Sequence, residues 1–161
     1  MEWMIIGELR RCRGLAEVDA EVPATWQCAE PHPDGAEGVD LLLIRPGSRW
    51  GRVPRLQVIF EEEPGHIDQA AHRIWEGLRE RCPHSLLASQ DIWPHPYWGE
   101  GRLVQTARVE AGIAVAHDCY IFVDGVRTIR VEIECALADL LSVEEEVADI
   151  VSHVRPKADP R

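Results

Sequence analysis

Two pairs of side chains in the last third of the chain have the types and spacing that chemistry needs. His117 and Cys119 are two positions apart on a predicted strand, so they share one face, and imidazole with thiolate can begin a zinc site. Glu132 and Glu134 share a face of the next predicted strand, and paired carboxylates can divide acid and base roles when buried. The simpler alternative is that both glutamates lie on a solvated sheet face, while His117 and Cys119 are ordinary buried residues.

An aromatic segment is the second candidate site. Trp93-Pro-His-Pro-Tyr-Trp98 is predicted to be a loop, in which the prolines at 94 and 96 restrict the backbone, and Trp50 lies in a separate arginine-rich stretch at 45–55. Rigid aromatic rings and arginines are typical of binding hot spots, because they bury area with little loss of entropy. The alternative is that the rings cap the ends of a sheet. The predicted binding residues are Trp93, His95, Tyr97, Trp98, Trp50, Arg52 and Arg49.

Sequence motifs of common enzymes are missing. The chain has no nucleophile elbow, phosphate-binding loop, dinucleotide fingerprint or HExxH zinc motif. We therefore predict no catalytic residue, no metal ligand and no cofactor, and we favour a binding role over an enzymatic one.

Length and charge narrow the classes of protein further. The 161 residues, 18.2 kDa, suit one domain, which we place at 1–154 with a flexible tail at 155–161. With 28 acidic and 17 basic residues the net charge is −11, which disfavours a general nucleic-acid binder because phosphate affinity comes mostly from clustered Lys and Arg. No apolar run approaches the roughly 18 residues of a membrane span.

The cysteines and the N-terminal sequence bear on the compartment. Five cysteines without a CxxC pair disfavour a disulfide framework, and Cys119 and Cys135 lie in apolar strand-like runs where thiols are usually buried. The first residues lack the basic region and long apolar stretch of a secretory signal. The sequence therefore predicts a cytoplasmic protein.

Hydrophobic periodicity predicts the elements that position these residues. Residues 56–60, 113–123 and 126–136 alternate as strands, and a weaker pattern predicts a strand at Trp3–Leu9. Between them, residues 67–81 carry apolar side chains at helical spacing. Ser142 and Glu145 form a capping-box pattern that predicts the start of a closing helix. An antiparallel sheet covered by helices, an α+β fold, follows from this order.

The order of elements resembles the PsbP/DcrB-like superfamily, which includes photosystem PsbP subunits, the Ran-binding factor Mog, LpqN-type lipoproteins and type VI effector-associated chaperones. The resemblance covers 18–154 and depends on Val22-Pro23-x-x-Trp26 after a strand, the helix at 67–81, a three-strand meander and a helix after Leu140-Leu-Ser142. It implies a curved antiparallel sheet flanked by helices, an α/β/α sandwich. It also implies non-enzymatic binding of a protein segment or a small ligand.

These observations predict a cytoplasmic, non-catalytic binding domain. Its expected partner is a protein or peptide, held by the sheet face and the aromatic segment, and a homodimer is compatible with this arrangement. Neither nucleic acid nor a membrane is an expected partner. The alternative is a small-ligand carrier or small hydrolase-like enzyme with a cavity lined by Glu132, Glu134 and His117.

Overall fold

The computed structural model describes residues 8–63 and 65–157, in which ten strands and two helices follow one another. Most of the predicted strand at Trp3–Leu9 lies outside the described residues. The elements are β1 (Leu9–Arg13), β2 (Val18–Pro23), β3 (Gln27–Ala29), β4 (Val39–Ile44), β5 (Arg55–Glu61), α1 (Ile67–Arg81), β6 (Leu86–His95), β7 (Gly99–Glu110), β8 (Ile113–Val123), β9 (Thr128–Ala136), α2 (Leu137–His153) and β10 (Arg155–Pro156).

Two antiparallel sheets are formed. The large sheet has seven strands in the order β3-β4-β5-β9-β8-β7-β6, and the small sheet has the order β1-β2-β10. The predicted α+β class is confirmed, as is the helix at 67–81. Neither helix in the described part of the chain combines the length and the apolar character that crossing a bilayer requires.

The two helices cover opposite faces of the large sheet. Along β8, Tyr120 and Phe122 join the core that includes α2, β2 and the fully buried Trp26. The alternate residues Cys119 and Ile121 instead pack with the apolar stripe of α1. This period of two is the strand geometry that lets one sheet carry two cores, one on each side.

Helix α1 covers only part of its face. Its main contacts are with β7 and β8. On the neighbouring strands β9 and β5, most residues of the same face are polar, namely Arg130, Glu132, Glu134, Arg55 and Gln57, and the apolar Ile59 lies opposite Arg130. In the part of the chain that the structure describes, no helix packs over the portion of this outer face that β9 and β5 form.

Two predicted boundaries are wrong. Helix α2 begins at Leu137, directly after β9, and the Ser142 hydroxyl donates to the Asp139 carbonyl inside the helix rather than capping its start. The predicted loop at Pro94–Pro96 is also partly strand, because β6 continues to His95. An edge strand accepts Pro94, since a proline nitrogen on the outer side needs no ladder partner.

The prediction that disfavoured disulfides is wrong for one pair of cysteines. Cys12 of β1 and Cys28 of β3 form a disulfide with their Cα atoms 6.1 Å apart, so the bond joins the small sheet to the large one. Spacing in the sequence gave no sign of this pair, because the two strands meet only through the tertiary fold. Cys119 and Cys135 are free and buried, as predicted.

The C-terminal segment begins within the folded domain. Arg155 and Pro156 pair with β2, and the Lys157 amide donates to the Glu17 carbonyl. The sequence had placed 155–161 in a flexible tail. Residues 158–161 of that prediction lie outside the described residues.

A buried carboxylate ties the two sheets together. Asp40 of β4 accepts hydrogen bonds from the amides of Ala16, Glu17 and Val18 at 2.7, 3.0 and 3.0 Å. Gly14 lies so close to this carboxylate that a Cβ there would overlap it. The turn before β2 is therefore held by one side chain of the large sheet.

Replacing Asp40 tests this link. Asp40→Ala leaves three amides without their charged acceptor, and we expect a loss of about 2–3 kcal/mol in the free energy of unfolding. Urea denaturation measures it, with Asp34→Ala in the exposed 31–36 loop as control. Equal stability of the two variants would contradict the role of Asp40.

Candidate functional site

The uncovered half of the outer face forms a cavity of ≈ 430 Å³, which we call the outer groove. One wall is the C-terminal end of α1, with Leu78, Arg81 and Cys82, and the other includes the loop at 31–36. A wider depression of ≈ 810 Å³ shares Val39, Arg81 and Arg130 with it. The floor consists of Arg55, Gln57, His117, Glu132 and Glu134.

Strand register brings the floor residues together. Glu134 of β9 lies opposite Arg55 of β5 on one side and His117 of β8 on the other. Two residues along, Glu132 lies between Gln57 and Cys119. Side chains of directly paired residues on one face are close neighbours, so the groove is a property of three adjacent strands.

Both glutamates of the floor are held by cations. Glu134 forms ion pairs with Arg52 and Arg108, and Glu132 pairs with Arg130 and lies 3.7 Å from His117 Nε2. Burial alone would raise the pKa of Glu132, but the nearby His117 imidazole and the charge of Arg130 hold it below its ordinary value. Glu132 is therefore ionised at neutral pH and unsuited to the role of a general acid.

The possible zinc site does not assemble. His117 and Cys119 share the outer face, but both are buried, and burial raises the pKa of the Cys119 thiol well above its ordinary value. Within 8–63 and 65–157, no three His, Cys, Asp or Glu side chains are grouped as metal ligands would be. His117 Nδ1 is buried without a hydrogen-bond partner.

The aromatic segment is packed against the core under α2. The Trp93 ring meets Tyr120 edge-on at 5.0 Å, and the Trp98 ring stacks on His95 at 4.5 Å and on Phe122 at 5.5 Å. These rings fill the end of the sheet. This is the arrangement that the sequence offered as the alternative to a binding role for the segment. Tyr97 is different, since 57% of it is exposed.

The arginine-rich stretch contributes to the groove rather than to the aromatic segment. Arg52 pairs with Glu134 on the groove floor and with Glu110 of β7. Trp50 is 51% exposed, and Arg49 is exposed beside it. In the described part of the chain, no ring contact, ion pair or hydrogen bond joins 49–52 to 93–98. The predicted binding residues therefore do not form one site.

None of the four arginines that line the groove was among the predicted binding residues. Arg55, Arg108 and Arg130 follow the alternation of their strands, which places them on the face of Glu134, so strand pairing would have revealed them. Arg81 ends a helix, and no periodicity relates it to the sheet.

His95 is held as a neutral ring. Nε2 lies 2.9 Å from the Val151 carbonyl, while Nδ1 accepts from the Tyr97 amide at 3.0 Å. This network assigns the Nε2–H tautomer, because a proton on Nδ1 would face the amide donor. Burial lowers the pKa of His95, although its backbone hydrogen bonds oppose that change.

Comparisons with known proteins show the fold. Nearly the whole chain matches cyanobacterial PsbP (CyanoP) from Synechocystis sp. PCC 6803, with 12% identity, 98% of this chain and 97% of that chain covered, and a TM-score of 0.68. LpqN of Mycobacterium tuberculosis, described as involved in cell envelope biogenesis, matches with 11% identity, 94% and 93% coverage and a TM-score of 0.64. The chain therefore has the predicted PsbP-like fold.

A third solved structure is similar over the same length. PA94 of Pseudomonas aeruginosa, a protein of unknown function and putative regulator, shares 15% identity, with 95% and 100% of the two chains covered and a TM-score of 0.65. No protein-family model matches the sequence, and no curated protein matches it either.

The state of His95 predicts a pH dependence. A lowered pKa favours the neutral ring in the folded protein, so stability is full above the ordinary value of 6.5 and is lost as the pH falls towards the lowered value. The melting temperature should therefore drop between about pH 7.5 and 5.5, and less steeply in His95→Gln. His72→Gln, on the exposed face of α1, should keep the wild-type slope. Parallel slopes for His95→Gln and wild type would refute this.

The packing of the rings predicts unequal effects of two tryptophan substitutions. Trp98→Ala removes a ring stacked on the core and should lower the free energy of unfolding by about 2 kcal/mol or more. Trp50→Ala removes an exposed ring and should change it by less than about 0.5 kcal/mol. Urea unfolding followed by circular dichroism compares the two, and a neutral Trp98→Ala would contradict the packing role.

Proposed function

We propose that this chain is a non-catalytic binding domain that takes a segment of a partner protein into the outer groove. The observation that carries the proposal is the incomplete cover of the outer face. Helix α1 packs on β7 and β8, and the groove opens beside it over β9 and β5. A sheet face with one covered half offers a rigid floor and one fixed wall for a ligand.

The chemistry of the floor supports binding over catalysis. Glu132 and Glu134 are engaged by Arg130, Arg52 and Arg108, so both already have cationic partners. Cys119 lies beneath the floor, buried and protonated. Catalytic groups usually need a pKa near the working pH and access to the substrate, and neither Glu132 nor Cys119 combines the two.

The shape of the groove supports an extended occupant. The ≈ 430 Å³ groove and the ≈ 810 Å³ depression share three lining residues and together follow the side of α1. Apolar side chains, Val39, Ile59 and Leu78, lie among the charged ones. A peptide segment can place apolar and polar side chains along such a surface in turn.

A second candidate is a small-ligand carrier. Glu132, Glu134 and His117 all line the outer groove, which is the arrangement that this alternative predicted. The groove alone has a volume within the range of about 300–1,000 Å³ that is usual for small-molecule sites. A carrier would use this part without the wider depression.

Two predictions from the sequence, the exposed aromatic contacts and the cytoplasmic location, remain untested. Tyr97 and Trp50 are exposed and stay predicted binding residues, as second contacts away from the groove. The cytoplasmic location also stays a prediction. The Cys12–Cys28 disulfide argues against it, since such bonds persist mainly in oxidising compartments, and LpqN serves the cell envelope.

Blocking the groove through Cys82 tests the proposal. Among the free cysteines of the described residues, Cys82 alone is not buried, and it lies at the groove wall. We expect fluorescein-maleimide to label Cys82 and to reduce binding of dodecapeptide phage selected on the unlabelled protein by roughly tenfold or more, because the dye occupies the peptide site.

The control is Cys82→Ser treated with the same reagent, which should keep full phage binding. Selected phage that bind the labelled and unlabelled protein equally would refute the outer groove as the peptide site.

A further inference from the structure

The outer groove is positively charged inside an acidic protein. Four arginines and two glutamates line it, whereas the whole chain carries −11. Glu134 is taken by Arg52 and Arg108, and Glu132 by Arg130 and His117. The remaining two arginines, Arg55 and Arg81, are therefore the source of the excess charge.

Among the four arginines that line the groove, Arg55 and Arg81 are the two without an ion-pair partner in the described residues. Most arginines in residues 8–63 and 65–157 have a carboxylate within 4.0 Å, including Arg79, which pairs with Glu76 at 3.2 Å. In the same residues, Arg55 and Arg81 have no ion-pair partner at that distance, although Arg55 lies opposite Glu134 in the register. The charge of Arg81 does act within the groove, since it contributes to holding down the pKa of Glu132.

Two other residues that line the groove have buried nitrogen atoms without partners. His117 Nδ1 and Arg130 Nε are both buried and lack a hydrogen bond, and the His117 side chain is only 9% exposed. A buried polar atom without a partner costs free energy, and each of these nitrogens can donate to an oxygen acceptor. The guanidinium groups of Arg55 and Arg81 add further hydrogen-bond donors to the same groove.

We infer that the segment bound in the outer groove is acidic, and that one of its carboxylates is held between Arg55 and Arg81. The inference rests on the proposed function and names the chemistry of its partner. A guanidinium presents a planar pair of N–H donors that matches the two oxygens of a carboxylate. The apolar side chains of Val39, Ile59 and Leu78 then contact the neighbouring residues of the same segment.

Carboxylate chemistry has two sources, a peptide and a free organic acid. The charge of the groove is common to both. The groove continues into the wider depression, which favours the peptide, and the lining of that depression has six acidic residues and four arginines, so the acidic part of the segment is the part over the groove. The experiment therefore needs one arm for each source and a variant that removes only Arg55 and Arg81, the unpaired arginines of the groove.

In the first arm, the dodecapeptide phage library is selected on wild-type protein. We expect the Cys82-sensitive clones to be enriched in Asp and Glu and to bind Arg55→Gln/Arg81→Gln roughly tenfold or more weakly, the loss expected when charge-assisted hydrogen bonds are removed. Arg13→Gln/Arg79→Gln makes the same change in net charge outside the groove and should keep full binding.

In the second arm, glutarate is the free acid, and the readout is the rate at which the uncharged reagent N-ethylmaleimide labels Cys82. We expect glutarate at millimolar concentration to slow labelling in wild type and in Arg13→Gln/Arg79→Gln, but not in Arg55→Gln/Arg81→Gln. The reagent is neutral, so the lost charges do not alter its approach.

The arms separate the two proposals. Cys82-sensitive clones that lack acidic enrichment, or that bind Arg55→Gln/Arg81→Gln as well as wild type, overturn the carboxylate site and leave the peptide groove intact. Arginine-dependent protection by glutarate without any Cys82-sensitive clone keeps the carboxylate site and overturns the peptide segment. Failure of both arms overturns both.

Discussion

The antiparallel register of β5, β9 and β8 is the constraint on which the rest of the structure depends. Strand β9 has apolar residues at every second position, Ile129, Val131 and Ile133, and these join the core under α2. The residues between them carry charge and form the floor of the outer groove. Because side chains alternate, a shift of one residue would put the charges in the core and the apolar residues on the floor. Core and groove are therefore specified by the same pairing.

Much of the fold was predictable because its local patterns agree with its tertiary contacts. Ile67, Ala71 and Ile74 repeat at helical spacing and do pack on the sheet, so the helix at 67–81 was found with its boundaries. The start of α2 was misplaced because a capping pattern at Ser142 lies inside a helix that continues directly from a strand. The Cys12–Cys28 pair was missed because strands from different sheets meet there.

The site was predictable only in part, for a related reason. Alternation alone places Glu132 and Glu134 on one face, and neighbouring strands then bring His117 beside them. The groove wall that contains Arg81 and Cys82 was not predicted, because these residues reach the sheet only through the packing of α1. The aromatic segment shows the opposite case. Its composition resembles a binding loop, but its position at the end of β6 turns Trp98 towards Phe122.

The Cys12–Cys28 disulfide contributes to the free energy of unfolding of the domain. It closes a loop with a sequence separation of 16 that contains β2, the central strand of the small sheet. By restricting the unfolded chain, a loop of about 15 residues contributes roughly 3 kcal/mol. Because β2 is part of the core under α2, reduction would withdraw this contribution from the stability of the whole domain rather than from the small sheet alone. The outer groove would therefore lose stability with the rest of the domain, although neither cysteine of the disulfide lines it.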